Sequence, residues 1–175
     1  MNAETRRNMI LEHLTQAQGP VSATTLAGLC GVSRQVIVGD VALLRASGAD
    51  ITATPRGYVI AQPSTGLTHT VVCLHNEAQT RQELYSFVDN GCFVEDVVVE
   101  HHIYGQITGQ LQLGSRYDVD LFMERLTERT GASLCSLTDG VHLHTLRCPD
   151  EAAFQRACQA LREAGILLED SYKVS

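Results

Sequence analysis

Two histidines, His142 and His144, are separated by a single residue in a run where apolar and polar side chains alternate. In a β-strand, successive side chains point to opposite faces, so both imidazoles would share one face. Imidazole is a common ligand for transition metals, and two rings at this spacing can bind one ion through their ring nitrogens. The pair therefore indicates half of a metal site, although a solvated strand face that carries two histidines fits the spacing equally well.

The composition narrows the class of protein. With 175 residues and 44% hydrophobic composition, the chain is predicted to be globular, with one large domain or two small ones. Because the apolar runs are short and the N-terminus lacks a secretory signal, we expect a cytoplasmic protein that does not span a membrane. The cysteines are spread singly, without a C-x-x-C pair, which favours buried reduced thiols over a zinc ribbon or a disulfide framework. They are Cys30, Cys73, Cys92, Cys135, Cys148 and Cys158.

Charge is distributed unevenly along the chain. Residues 1–61 contain five arginines and four acidic residues, whereas the remainder contains eight basic and sixteen acidic residues. Only the first third can therefore approach a polyanion such as DNA without strong electrostatic repulsion.

Three helices are predicted in this first third. Apolar residues at helical spacing indicate a helix over residues 4–17. Ser22 can cap a short second helix that Gly31 closes, and Ser33 can cap a third helix. The turn of about three or four residues between the last two helices is typical of the DNA-binding helix-turn-helix, whose second helix enters the major groove.

A β-hairpin wing is predicted after the third helix, because two short extended runs flank a tip at Pro55, Arg56 and Gly57. With this wing, the first 61 residues resemble the winged helix-turn-helix at the N-termini of biotin operon repressors and many small-molecule-responsive regulators. One departure is Gly39, where that family usually has a larger and often basic residue. A mid-helix glycine costs about 1 kcal/mol relative to alanine and removes a possible phosphate contact. The residues that carry the resemblance are Val32, Ser33, Arg34, Gln35, Ile37, Asp40, Val41, Leu44, Arg45, Gly48, Ile51, Arg56, Gly57 and Tyr58.

We expect this domain to bind double-stranded operator DNA. Arg34 and Gln35 are predicted to read bases, because arginine pairs bidentately with guanine and glutamine with adenine. Ser33 is expected to bind phosphate, and Arg45 and Arg56 complete the predicted DNA-binding set, with Arg56 on the wing. Since one weakly basic domain makes few phosphate contacts, we expect a homodimer on a palindromic operator. The alternative is a protein-interaction module that has lost DNA binding.

The predicted fold class is α+β. A three-helix winged helix-turn-helix over residues 1–61 is joined by a polar linker, residues 62–66, to a second domain over residues 67–175. The second domain has the predicted order β-α-β-β-α-β-α, which makes an antiparallel sheet with helices on one face, in two layers. Its predicted strands are residues 70–74, 93–100, 106–113 and the histidine run, and its predicted helices are residues 77–89, 119–129 and 151–164, the last two capped by Asp118 and Asp150.

A second resemblance covers residues 68–147. The residues that carry it are His75, Glu83, Asp89, Asn90, Gly91, the segment 95–101, Tyr104, Gly105, Ser115, Arg116, Asp118, Val119 and the segment 137–145. They resemble the three-histidine (3H) domain of bacterial repressors that control NAD biosynthesis and niacin salvage in response to nicotinic acid. His102 is a departure, because this position is often proline in that family.

The resemblance to the 3H domain implies a divalent metal bound by His75, Glu83, His142 and His144, with the effector close to it. Three imidazoles and one carboxylate suit zinc, nickel or iron, and they leave positions for water or for an effector carboxylate. The residues alone indicate the pair of histidines on the strand, and His75 at the end of another predicted strand, as ligands. Glu83 is assigned as a metal ligand only by the resemblance. The alternative interpretation is that its side chain lies on a solvated helix face.

Three further residues are candidates for binding the effector: His101, Tyr104 and Arg116. An aromatic or imidazole ring can stack on a pyridine, and an arginine can bind a carboxylate in a bidentate pair. For Arg116, a surface salt bridge with Asp118 is an equally good interpretation.

The predicted function is a repressor of genes for NAD biosynthesis or niacin uptake and salvage, with nicotinic acid as co-repressor. One alternative is a regulator for which the metal ion itself is the signal. The other is a metal-dependent hydrolase that acts on a pyridine compound, since an open site of this kind could activate water. Against the hydrolase, no sequence motif places a general base.

Overall fold

The computed structural model describes residues 1–60, 65–128 and 133–169. The chain divides into two compact units, Met1–Pro63 and Ser64–Ser175. The predicted linker falls outside the described residues except for Thr65 and Gly66. Within the described ranges, no single helix is long and apolar enough to cross a membrane; two short helices joined by a sharp bend pass that test together, by length and composition only.

The first unit begins with three helices, α1 (Ala3–Gln16), α2 (Ala23–Cys30) and α3 (Arg34–Ala46). The predicted caps of the last two are confirmed. The side chain of Ser22 accepts a hydrogen bond from the backbone of Thr25, and that of Ser33 accepts one from Val36. Gly31 closes α2 in the left-handed conformation, with φ 64°. The axes of α2 and α3 are bent by 101°, within the range of helix-turn-helix motifs.

The three helices of this unit share one apolar core, and an ion pair fixes α3 against α1. The buried carboxylate of Asp40 accepts hydrogen bonds from Arg6 at 2.6 and 3.2 Å, and the guanidinium of Arg7 lies 3.7 Å away. Removing either partner of a buried pair leaves an uncompensated charge, so this contact fixes the setting of α3. The largest apolar members of the core are Ile10, Leu14, Leu26, Ile37, Val41, Leu44 and Ile51.

The predicted wing is confirmed as an antiparallel hairpin of β1 (Ile51–Thr54) and β2 (Gly57–Ile60). Backbone hydrogen bonds of 2.8 and 2.9 Å join Val21 to Tyr58, which docks the hairpin on the segment before α2. Gly57, with φ 141°, is required at this junction, because a Cβ there would lie 2.4 Å from the carbonyl oxygen of Val21.

The second unit has the predicted β-α-β-β-α-β-α order. Its four strands form one antiparallel sheet in the order β3-β6-β4-β5, so β6, the last strand in the sequence, is a central strand. Short 3₁₀ helices, Glu77–Gln79 and Leu134–Thr138, precede α4 and β6. The elements are β3 (Leu67–Leu74), α4 (Thr80–Val88), β4 (Phe93–His101), β5 (Gly105–Leu113), α5 (Arg116–Glu128), β6 (Val141–Cys148) and α6 (Glu151–Glu163).

One face of the sheet is buried against the helices. Along β6, alternate residues are buried, as expected when one face of an antiparallel sheet contacts the core. In β4 this alternation is interrupted between Val94 and Asp96, where the strand register shifts. The sheet contributes Val71, Cys73, Val94, Val97, Leu111, Leu113, Leu146 and Cys148 to this core, and the helices contribute Leu84, Phe87, Val119, Ala153, Ala157, Cys158 and Leu161. The predicted two-layer α+β fold is therefore confirmed.

The start of α5 differs from the sequence prediction, and Asp118 is not its cap. The helix begins at Arg116, because the hydroxyl of Ser115 accepts a hydrogen bond from the backbone of Asp118 at 3.2 Å. The carboxylate of Asp118 is buried and accepts a hydrogen bond from the backbone of Gly114 at 2.9 Å. The sequence feature that marks this helix start is the Ser-x-x-Asp spacing of Ser115 and Asp118, in which the serine and not the aspartate caps the helix.

The alternating segment of the histidine run, Val141–Leu146, lies entirely within β6, which continues to Cys148. The residues before it are not extended: Leu134–Thr138 form a 3₁₀ helix, and Asp139 adopts the left-handed conformation with φ 53°. The short extended segment after α6 pairs with β3, since Leu74 donates to the carbonyl of Ile166 at 2.9 Å. This segment covers part of the free edge of β3.

Candidate metal centre and DNA-binding surface

Four residues that are distant in the sequence meet on the helix-facing side of the sheet: His75, Glu83, His142 and His144. The two histidines of β6 lie on the buried face of a central strand, next to β3. His75 follows the end of β3, and Glu83 reaches the same point from the first turn of α4. All four side chains are buried. The structure thus brings together the complete set of predicted metal ligands.

The carboxylate of Glu83 is the centre of this cluster. Nε2 of His75 lies 2.7 Å from one carboxylate oxygen, and Nε2 of His142 lies 2.7 Å from the other. Nε2 of His144 lies 3.3 Å from the oxygen that His142 contacts. Three imidazoles therefore present the same ring nitrogen to one carboxylate.

The opposite ring nitrogen of each histidine is held by a backbone carbonyl. Nδ1 of His75 donates to Asn76 at 2.7 Å, Nδ1 of His142 donates to Gly140 at 2.8 Å, and Nδ1 of His144 donates to Asp96 at 2.8 Å. A carbonyl oxygen can only accept, so each Nδ1 carries the proton. In the neutral imidazole, Nε2 then presents a lone pair to the centre. This is the outer-shell arrangement that orients histidines on a metal ion.

The donor set fits a divalent cation. Neutral imidazoles protonated at Nδ1 present only lone pairs to a carboxylate that also only accepts, so a positive charge is required between them. Within the described residues, Nε2 of His75 and of His144 is buried without a hydrogen-bond partner, although both lie beside Glu83. Unpaired buried nitrogens that converge on a carboxylate are what a metal ion would satisfy.

The electrostatics of this cluster favour positive charge on its histidines. Burial favours the neutral form of His142, but hydrogen bonds to Cys135 and Glu83 outweigh it and raise the pKa of His142 to about 10. Burial also opposes ionisation of Glu83, yet the three imidazoles hold the pKa of this carboxyl well below its usual range. The centre therefore attracts positive charge strongly, whether as protons or as a metal.

Two cysteines lie at this centre that the sequence analysis treated only as buried thiols. Cys73 stands directly opposite His142 in the pairing of β3 with β6, and Cys135 lies in the 3₁₀ helix before β6. A cavity of about 490 Å³ opens beside the centre. It is lined by Leu74, His75, Asn76, Glu77, Cys135, Ser136, Asp139 and Gly140. For Cys73, the available signal was its position two residues before His75, near the end of the same strand.

The predicted effector residues lie at two other places. His101 and Tyr104 are at the hairpin between β4 and β5, where their ring centroids are 5.2 Å apart and Nδ1 of His101 accepts from the Tyr104 backbone at 3.3 Å. Arg116, at the start of α5, binds Asp89 through two hydrogen bonds of 2.7 and 2.6 Å, and its guanidinium lies over the ring of Tyr85. The alternative pairing of Arg116 with Asp118 is replaced by the pairing with Asp89.

The predicted DNA-binding residues lie on α3 and the wing. Ser33, Arg34 and Gln35 are exposed at the N-terminus of α3, where the backbone N–H groups point outward. Arg45, near the end of α3, donates from Nε to the carbonyl of Ile51 at 2.7 Å and so ties the helix to the wing. Arg56 is half-buried at the tip of the wing.

Comparison with known proteins gives two family matches, the HTH domain over residues 6–59 and the 3H domain over residues 68–170. The chain is 44% identical over 169 residues to the transcription repressor NadR of Bacillus subtilis, with 94% of each chain covered. It is 39% identical over 165 residues to the probable transcription repressor NiaR of Thermotoga maritima, again with 94% of each chain covered. The two families match the two compact units in the order in which those units occur.

Proposed function

The chain belongs to the 3H-domain family of HTH transcription repressors, and we propose that it represses genes of NAD biosynthesis or niacin salvage with nicotinic acid as co-repressor. As a member of this family it is a DNA-binding regulator and not an enzyme, so the hydrolase alternative is set aside. The metal ion, the effector and the homodimer are parts of the proposal, and different features of the chain support each of them.

A divalent transition metal is the first part of the proposal. One observation carries it: three Nε2 atoms face a single carboxylate while the three Nδ1 atoms donate to backbone carbonyls. His75, Glu83, His142 and His144 would hold zinc, nickel or iron. The bound ion would supply positive charge and open coordination positions for an anionic effector.

Nicotinic acid is the second part. The cavity beside His75 has the size of a small-molecule site, and it adjoins the centre where a metal would attract a carboxylate. His101, Tyr104 and Arg116 stay candidates for contacts with the pyridine and its carboxylate. Asp89 accepts from Nε and Nη2 of Arg116, so an effector carboxylate would bind Nη1 and the second N–H of Nη2, or displace Asp89.

Calorimetric titration of nicotinate into metal-loaded protein tests this proposal. Nicotinamide and a chelator-stripped sample are the ligand and metal controls. We expect nicotinate alone to bind, and binding to disappear on stripping and in Glu83→Gln. Glu95→Gln is the matched control, since Glu95 is a partly exposed carboxylate that pairs with Arg147 at 3.6 Å. If metal-loaded protein gives no heat with nicotinate, the niacin proposal fails.

The role of Arg116 is tested by comparison with Arg81. Both arginines pair with an aspartate and lie near the ring of Tyr85, but only Arg116 matches the 3H pattern. If Arg116 binds the effector carboxylate, Arg116→Ala raises the Kd for nicotinate at least about tenfold, the loss of a charge-assisted hydrogen bond. Equal values for Arg116→Ala and Arg81→Ala would assign Arg116 to the fold alone.

Operator recognition is proposed to rest on the exposed start of α3. Arg34→Ala and Gln35→Ala are each expected to cost about 1–3 kcal/mol of binding to the specific operator. Arg162→Ala is the control, because Arg162 lies in the second unit and pairs with Glu169. If the two α3 variants weaken binding to specific and scrambled duplexes equally, the two residues contact phosphates and do not read bases.

A metal sensor is the second candidate, and the same converging lone pairs favour it. In that case operator affinity follows metal occupancy without nicotinate. Fluorescence anisotropy of labelled operator, with metal and nicotinate added separately, distinguishes the two functions. A response to metal alone supports the sensor, and a response that requires nicotinate supports the co-repressor.

A further inference from the structure

The thiol of Cys73 lies within the cluster that surrounds Glu83. Cys73 is fully buried on β3, directly opposite His142 in the strand pairing and two residues before His75, which follows the end of the strand. Its Sγ, a carboxylate oxygen of Glu83 and a ring nitrogen of His142 all lie within 4.8 Å of one another. These separations are close enough for all three atoms to bind one ion after small adjustments.

A role as a core side chain accounts for the burial of Cys73 but not for its neighbours. Cys73 belongs to the apolar core of the second unit, but its thiol also adjoins a carboxylate and an imidazole. A thiol grouped with a carboxylate and an imidazole is a typical set of metal ligands, because a coordinating thiol gives up its proton and binds as the thiolate.

Resting on the metal site of the proposed function, we propose that Cys73 is a fifth protein ligand, its thiolate binding the ion together with His75, Glu83, His142 and His144. The unpaired and buried Nε2 atoms of His75 and His144 are the independent observation that the same point receives an ion. On binding, the proton of Cys73 passes to solvent and a sulfur–metal bond forms.

This ligand changes the character of the site. Thiolate and carboxylate together neutralise a divalent ion, and the soft sulfur donor favours zinc, nickel or cobalt over magnesium, calcium or manganese. Five protein donors leave one position of an octahedron for a small ligand. The site would therefore accept one donor atom from an effector.

The other cysteines are less suited to this role. Cys135 is the nearest rival, because it hydrogen bonds to His142, but it is partly exposed and lies in a 3₁₀ helix. Cys92 and Cys148 contact each other, with their sulfurs 2.9 Å apart. Among the described residues, which include all six cysteines, Cys73 is the one grouped with a carboxylate and an imidazole at ligand distances.

Titration of cobalt(II) into chelator-treated full-length protein tests the proposal by absorption spectroscopy. Visible ligand-field bands report binding of the ion, and a near-ultraviolet sulfur-to-cobalt charge-transfer band reports a thiolate ligand. We expect both signals in the unmodified protein, in Cys135→Ser and in Cys158→Ser. The last variant is the matched control, because Cys158 is a buried thiol of α6. Cys73→Ser is expected to keep the visible bands, lose the charge-transfer band and bind cobalt at least about tenfold more weakly.

Other outcomes overturn the proposal in distinguishable ways. Visible bands without a charge-transfer band in the unmodified protein, or a charge-transfer band that survives in Cys73→Ser, would exclude Cys73 while leaving the histidine site intact. Loss of that band in Cys135→Ser alone would assign the sulfur to Cys135. Absence of visible bands in the unmodified protein would remove the metal site itself.

A second measurement does not depend on the folding of a variant. X-ray absorption at the zinc edge of the unmodified, zinc-loaded protein should show one sulfur at roughly 2.3 Å, besides nitrogen and oxygen at roughly 2.0–2.2 Å. A shell of nitrogen and oxygen alone would overturn the assignment of Cys73.

Discussion

At the centre of the second unit, the protonation of three imidazoles is fixed by the backbone. Each Nδ1 donates to a carbonyl, so each Nε2 is directed at Glu83, with a lone pair in the neutral ring and a proton in the charged ring. The sequence pattern predicted the shared face of His142 and His144, because alternation along a strand is a local property. It could not place Glu83, whose contact with His142 spans 59 residues.

Substitution of Gly140 should weaken metal binding. Gly140 has φ 92°, its carbonyl accepts from Nδ1 of His142, and an added Cβ would lie 2.4 Å from the backbone oxygen of His75. We expect Gly140→Ala to lower metal affinity by about 10–100-fold, because it displaces the groups that orient two ligands. Competition with a metal-binding dye measures this affinity.

Gly165→Ala is the matched control for Gly140→Ala. Gly165 has a similar left-handed φ of 70°, but no heavy atom of the described residues lies within 4 Å of an added Cβ. This variant should therefore lose some stability through backbone strain and keep its metal affinity. Equal metal affinities in the two variants would contradict the proposed role of Gly140.

Metal affinity should rise with pH. Because the pKa of His142 is raised to about 10 in the ion-free centre, this ring is protonated near neutral pH, and the metal must displace its proton. We expect apparent affinity to increase between about pH 6 and pH 9, with at least one proton released per ion. Calorimetry in buffers of different ionisation enthalpy measures this release, and an affinity independent of pH would contradict the prediction.

Whereas metal affinity should rise with pH, the stability of the metal-free protein should fall as pH rises. A raised pKa in the folded state stabilises the fold below the ordinary pKa of histidine, about 6.5, and this contribution is lost as pH rises through about 10. We therefore expect the Tm of chelator-treated protein to fall over this range. In His142→Gln the fall should be smaller, which separates the effect of this ring from general alkaline denaturation.

At the scale of elements, α3 is fixed in two ways within the first unit. The Asp40 carboxylate binds Arg6 of α1, and Arg45 donates to the carbonyl of Ile51 in the wing. These contacts position the helix that carries Arg34 and Gln35, the two residues proposed to read bases. Apolar spacing and serine caps predicted the helix itself, whereas these cross-element contacts followed only from the fold.

Gly39→Ala should stabilise α3. Gly39 is exposed in the interior of the helix, and an added Cβ meets no heavy atom of the described residues within 4 Å. Alanine is favoured over glycine in a helix by about 1 kcal/mol, so the free energy of unfolding of the first unit should rise by that amount. Urea denaturation of the full-length chain, followed by far-ultraviolet circular dichroism, measures the change.

Gly31→Ala provides the contrast within the same motif. Gly31 also has open space around it, but its φ of 64° is left-handed, so alanine there should cost about 1 kcal/mol. Opposite signs for the two substitutions would confirm the helical and capping conformations. A loss of stability in Gly39→Ala would instead contradict the regular helix at that position.

At the scale of the whole chain, the uneven distribution of charge bears on how tightly the protein binds DNA. The first third has a formal net charge of only +1 and the remainder is strongly acidic, so we expect weak non-specific attraction to DNA. One DNA-binding domain with few phosphate contacts binds poorly, and two such domains on one operator bind much more tightly through their linkage. Charge distribution therefore favours the proposed homodimer.

The homodimer leads to a prediction about operators. We expect a dimer in analytical ultracentrifugation, and much tighter binding to a palindromic duplex than to a duplex of equal length with one half-site scrambled. Raising the salt concentration should weaken binding to both duplexes. Sequential binding of monomers to the two half-sites with equal affinity would contradict the homodimer.

The sequence by itself determined the elements, the α+β class and the shared face of His142 and His144. Apolar periodicity, caps and alternation are local, so they can be read without knowing the fold. Only the tertiary structure decided that β6 lies between β3 and β4, and this strand order brings Cys73, His75 and Glu83 to the two histidines. Such contacts depend on non-local strand pairing and on the packing of α4 over the sheet, which residue spacing along the chain does not encode.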